Sequence, residues 1–171
     1  MRSLIYGYGD TGKSFERYLE DKKINFDIFD SNIAEHNQNY NLEDFDQILC
    51  SPGVPKDIFE NIKSQNINTF TDVDIFFNED KSVKIGITGT NRKSTTAFHL
   101  HQLFNKYKSS NLIGNIGNTM LDYINNGKEF SIIELSSFQL DKMNQNRLDF
   151  GILLNIEAVS YTHLRAHETM L

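Results

Sequence analysis

A chain of 171 residues with net charge -6, 39% hydrophobic and 23% charged residues has the length of one medium domain or two small ones and the make-up of a soluble globular protein. The acidic balance argues against a general nucleic-acid binder, and no run approaches the roughly 18 apolar residues that span a bilayer. Cys50 is the single cysteine, which excludes an intrachain disulfide framework, argues against a cysteine-built metal site and fits a reducing, cytosolic setting; the start MRSLIYGYGD is not a signal peptide.

In chain order, strands alternate with helices. SLIYG (3–7) is a short apolar run ending in glycine, hence a buried strand. GKSFERYLEDKK (12–23) sets Phe15, Tyr18 and Leu19 on one helical face. NFDIFD (25–30) reads as a second strand, and QILC (47–50) as a third closed by a Ser-Pro-Gly turn. DIFENIKSQ (57–65) is a helix and NTF (68–70) a short strand; Thr71 and Asp74 form a capping box ahead of DIFF. The pattern then restarts. VKIGIT (83–88) is a strand, 94–107 a helix and NLIG (111–114) a strand edge, while FSIIEL (130–135) and FGILLN (150–155) have the apolar runs of central parallel strands. The alternation predicts α/β architecture: an N-terminal Rossmann-like parallel-sheet domain at 1–80, then a truncated P-loop-type α/β domain at 81–157, divided at the polar NEDKS (78–82). Residues 158–171 contain no Lys, Asn, Ile or Asp, unlike the body of the chain. They read either as an exposed helix or, the favoured reading, as a non-native tail in which His163 and His167 have no chemical role.

Motifs sit at the strand-to-helix turns. GYGDTGKS (7–14) has the spacing Gly-x-Gly-x-x-Gly, whose glycines permit a tight turn and whose helix-start amides suit a diphosphate. Asp30 ends the next strand about 20 residues on, where an acid can take a ribose hydroxyl. A glycine cluster in any α/β turn is the plain alternative. TGTNRKST (88–95) lies between strand and helix, as a phosphate loop must. Lys93 would reach the outer phosphates, Ser94 would ligate Mg²⁺, and loop amides would surround the triphosphate. The full Walker pattern is not met, since Ile87 and Arg92 stand where glycine is usual; a basic helix start with an ordinary cap is the alternative. Glu134 ends a central strand and is placed to help hold Mg²⁺, or is simply a polar strand end. GNIGN (114–118) is by itself a turn.

Taken together, these segments resemble the Mur ligases, and within them the D-glutamate-adding branch. GYGDTGKS (7–14), FDS (29–31), SPGVP (51–55), TDVDIFF (71–77), ITGTNRKSTT (87–96), GNIGN (114–118), IELSSFQLD (133–141) and ILLNIE (152–157) follow in family order over about residues 1–157. The resemblance implies an ATP-dependent ligase of peptidoglycan precursor synthesis, cytoplasmic and monomeric, with UDP-N-acetylmuramoyl-L-alanine and D-glutamate as substrates, no nucleic acid or membrane partner, and ATP and Mg²⁺ as cofactors. ATP would phosphorylate the alanyl carboxylate, and the amine of D-glutamate would displace the phosphate.

Carried over residue by residue, Gly9, Thr11 and Gly12 would meet the diphosphate, Asp30 and Ser31 would lie near the uridine, and Ser51, Pro52 and Gly53 would shape that pocket. Gly89, Thr90, Asn91, Lys93, Ser94 and Thr95 would surround ATP. Lys93 and Glu134 would be catalytic, Ser94 and Glu134 would bind the metal, and Asn115 would contact substrate near the reacting carboxylate. Arg92 stands where the family has glycine, which is expected to impair ATP binding unless its side chain points outward. The family's further metal-binding lysine and its D-glutamate domain have no counterpart here, so an incomplete, inactive fragment is expected. The alternatives are a sister Mur ligase or folylpolyglutamate synthase, and a non-catalytic UDP-sugar-nucleotide binding module.

Overall fold

A computed structural model describes residues 1–157. Its elements alternate along the chain: β1 (Arg2–Tyr6), α1 (Asp10–Asp21), β2 (Asn25–Phe29), β3 (Gln47–Cys50), α2 (Lys56–Gln65), β4 (Thr69–Phe70), α3 (Asp72–Glu79), β5 (Val83–Thr88), α4 (Lys93–Phe104), β6 (Ser110–Gly114), β7 (Phe130–Glu134), α5 (Ser137–Lys142) and β8 (Phe150–Leu153). They form two parallel sheets, ordered β2-β1-β3-β4 and β6-β7-β5-β8. This is the Rossmann-like α/β class expected from the alternation.

Consecutive buried residues, covering both faces, fit the central place of β1 in its sheet. Leu4 faces α2 and packs with Ile48, Phe59 and Ile62. Its neighbour Ile5 faces α1 and packs with Phe15, Leu19 and Leu49. The second sheet divides its faces the same way. Ile85, Ile87 and Ile132 cover Ala97 of α4, whereas Ile113, Ile133 and Leu135 enter the cluster that already holds Phe15, Leu19 and Phe76. The largest core is therefore shared by both sheets.

Local signals set the element ends. The Thr71–Asp74 capping box forms as expected at the start of α3. A second box, Ser136 with Gln139, starts α5, an element that the ELSSFQL segment contains but that apolar periodicity does not reveal. The helix expected at 94–107 closes at Phe104, because Asn105 to Lys108 turn back on its last carbonyls. Strand β8 was expected as a central parallel strand. It pairs only with β5 among the described residues, and Phe150 and Leu153 are exposed on it. An apolar run reports low polarity; which neighbours cover it is decided by topology. The expected tail, 158–171, lies outside the described residues.

Candidate functional site

Both sheets present their turns at the carboxyl ends of parallel strands, where open α/β sheets bind ligands. In the first sheet the chain runs from β1 outward to β2 and then returns to β3 on the other side, so the switch point lies between β1 and β3. There Ser51 donates its amide to Tyr6 O at 2.9 Å and its hydroxyl to Gly7 O at 2.6 Å. The expected Ser51-Pro52-Gly53 pocket wall is thus joined to the glycine loop. A Cβ on Gly12 would sit 2.3 Å from Gly7 O, so α1 can start this close to the strand only with glycine there. Around Gly9 the space is open and the residue is exposed, leaving the backbone of the helix start approachable. Thr11 and Gly12 lie in the first turn of α1, whose amides lack partners within the helix. Asp30 accepts from Tyr8 N at 2.7 Å and Asn32 N at 2.8 Å. Its carboxylate orders the glycine loop in addition to any contact with a ribose, and Ser31 is exposed in the following turn.

In the second sheet β5 lies beside β7, with Ile87 opposite Glu134, while Gly114 of β6 faces Glu134 from the other side. Glu134 is 1% exposed. Its Oε1 accepts from Asn115 Nδ2 at 3.1 Å, and its Oε2 has no partner among the described residues. A buried carboxylate oxygen left without a donor fits a cation, because desolvation of a charged acceptor is otherwise uncompensated. The chain holds no cluster of His, Cys, Asp and Glu able to bind a metal unaided among the described residues.

The turn 89–95 curls over the same end of β5. Lys93 Nζ donates to Gly89 O at 2.8 Å and Thr90 O at 3.3 Å, which keeps the ammonium inside the turn. Ser94 and Thr95 are exposed on the first turn of α4. Arg92 is the N-cap and is left-handed, φ 64 and ψ 18, with its side chain exposed. A residue that sequence reasoning missed also acts here. Asn155, just past β8, accepts Thr90 N through its main-chain carbonyl at 3.0 Å and Asn91 N through Oδ1 at 2.8 Å. The amides expected to hold phosphate at 90 and 91 are thus already engaged, and the free amides are those of the α4 start.

A cleft of about 480 Å³ runs between α1 and the segment after β6, lined by Asp10, Lys13, Arg17, Asn118, Asp122 and Tyr123 among others. It joins the glycine-loop helix to the GNIGN turn, motifs that are far apart in the chain. Arg17 and Asp122 close one side through a 2.6 Å ion pair, and this hydrogen-bonded guanidinium holds the Asp122 carboxyl below its ordinary range. Burial pushes the Cys50 thiol up to about 12, so it is an inert core residue. No described helix is long and apolar enough to cross a membrane.

Two four-stranded parallel sheets with strand-to-helix turns at their carboxyl ends define a Rossmann-like α/β protein. By sequence the chain is similar to curated D-glutamate ligases and spans about two fifths of their length. It is 36% identical over 165 residues to curated proteins named UDP-N-acetylmuramoylalanine--D-glutamate ligase from Francisella tularensis subsp. novicida (strain U112) and subsp. tularensis (strain WY96-3418). The match covers 90% of this chain and 38% of each relative. No protein-family model matches the chain.

Proposed function

We propose that the chain carries the sugar-nucleotide and ATP parts of a peptidoglycan-precursor ligase that joins D-glutamate to UDP-N-acetylmuramoyl-L-alanine. Residues 1–80 hold the UDP moiety, with Gly9, Thr11 and Gly12 at the diphosphate, Asp30 and Ser31 near the uridine, and Ser51 to Gly53 as the wall. Residues 81–157 hold ATP through Gly89 to Thr95. The observation that carries this reading is the unpartnered Glu134 Oε2, buried one strand away from the turn containing Lys93.

The chemistry is leaving-group activation. A carboxylate resists attack by an amine, whereas an acyl phosphate does not. Lys93, held within the turn by the Gly89 and Thr90 carbonyls, offsets negative charge building on the transferred phosphoryl oxygens. Bound Mg²⁺ supplies further charge neutralisation. Asn115 holds Glu134 in place through one amide hydrogen and is oriented toward the same end of the sheet as the proposed carboxylate site.

Arg92 is proposed to lower ATP affinity through the bulk of its side chain at the N-cap, where glycine would leave the helix-start amides open to phosphate. Titration of UDP-N-acetylmuramoyl-L-alanine and of Mg-ATP, separately, into this chain and into Arg92→Gly tests the reading. The expected result is that both proteins bind the sugar nucleotide and that the glycine variant gains at least about tenfold in ATP affinity. A second reading, a non-catalytic sugar-nucleotide module, is favoured by the engagement of the Thr90 and Asn91 amides by Asn155. It predicts that neither version binds ATP.

A further inference from the structure

Lys142 is buried, 3% exposed, at the last turn of α5, one residue past the IELSSFQLD segment. Its ammonium donates to Pro52 O at 2.6 Å and to Val54 O across the divide between the two sheets. Burial lowers its pKa. Its neighbours extend the same contact. Asn144 donates its amide to Asp74 Oδ1 at 2.6 Å and its side chain to Thr69 O at 3.1 Å. Lys56 meets Asp141 at 2.8 Å, and Lys63 meets Asn144 at 2.6 Å.

We infer that Lys142 is a positioning residue that fixes the Ser51–Val54 turn and so shapes the sugar-nucleotide pocket. The inference rests on the ligand assignment proposed above. The ends of the turn are held by Ser51 N on Tyr6 O, Val54 N on Ser51 O and burial of the Val54 side chain, whereas its middle is not. Ser51 binds Gly7, but Gly53 is exposed and touches nothing within 4 Å of where a side chain would begin. The carbonyls of Pro52 and Val54 converge on one ammonium, and a charged donor holding two acceptors in a buried setting is a strong restraint. The lysine belongs to α5, whose N-cap Ser136 lies two residues beyond Glu134. One short helix thus ties the sugar-nucleotide wall to the strand end proposed to hold the metal, so the two ligands are set at a fixed spacing.

The test compares this chain with Lys142→Met, which keeps the apolar stem and removes the donor. Amide hydrogen exchange is read residue by residue, and UDP-N-acetylmuramoyl-L-alanine is titrated into both proteins. The expected result is a rise of about tenfold or more in exchange at residues 51–54, unchanged exchange in β1 and β5, and an affinity weaker by about tenfold. Unchanged exchange in the turn overturns the inference. So does a uniform rise along the whole chain, which marks a merely structural lysine, and so does faster turn exchange with unaltered affinity. If the unsubstituted chain fails to bind the sugar nucleotide, the proposed function falls; the role in shaping its pocket falls with it, while the exchange arm still reads whether Lys142 holds the turn. Should Lys142→Met not fold, Lys142→Gln, which retains a shorter donor, is read by the same measurements.

Discussion

At Arg92 a side chain occupies a conformation that suits glycine. A left-handed backbone costs a bulky L-residue on the order of 1 kcal/mol, and the surrounding strand and helix hold it there. Arg92→Gly is therefore expected to raise unfolding stability by about 1 kcal/mol in urea titration, independently of its effect on ATP. A loss of stability would show that the arginine side chain makes compensating contacts. Asp72 offers a pH test. Burial raises its carboxyl from 3.8 to about 6, and Oδ1 has no partner among the described residues. The folded state then binds a proton that the unfolded state has released between about pH 4 and 6. This contribution favours folding at low pH and is lost as pH rises through about 6. Asp72→Asn should match the parent near pH 4 and be more stable by up to about 3 kcal/mol at pH 7. An advantage that does not grow with pH would contradict the assignment.

At the scale of elements, the two capping boxes show how a local motif acquires a tertiary task. Thr71 caps α3 only, whereas Asp74 also accepts from Asn144 N and Nδ2 of the second sheet's connection. Thr71→Ala is expected to cost about 1 kcal/mol and Asp74→Ala about 3 kcal/mol, read by thermal or urea unfolding. Equal costs would mean that the cross-connection contributes little. The Thr71 box was legible because its residues precede an apolar run. The Ser136–Gln139 box has the same signature, yet α5 is short, and six residues do not establish a 3.6-residue period. For β8 the described residues show one neighbour, β5, and β-strand apolarity does not encode how many neighbours a strand acquires.

For the molecule as a whole, the shared cluster of Phe15, Leu19, Phe76, Ile113, Met120 and Ile133 makes the two sheets mutually dependent. Neither can keep that face buried alone. The described body should unfold in one cooperative transition, with tyrosine near-ultraviolet and far-ultraviolet circular dichroism coinciding. Separate transitions would show that the sheets are independently stable. The ion pairs across the divide, Arg17 with Asp122 and Lys56 with Asp141, are largely exposed. High salt should therefore change the midpoint little compared with truncation of Phe15, a fully buried ring whose removal costs about 3–5 kcal/mol.

The sequence by itself determined the α/β alternation, the places where glycine turns meet helix starts, the capping box at Thr71 and the candidacy of Lys93 and Glu134. Each is written in near neighbours along the chain, through periodicity, backbone freedom or side-chain reach. Only the tertiary structure decided that Asn155 occupies the amides at 90 and 91, that Glu134 keeps one buried oxygen unpartnered, and that Lys142 grips a turn some ninety residues away. Those contacts depend on which strands lie side by side and which faces meet, and short-range pattern carries no record of that choice.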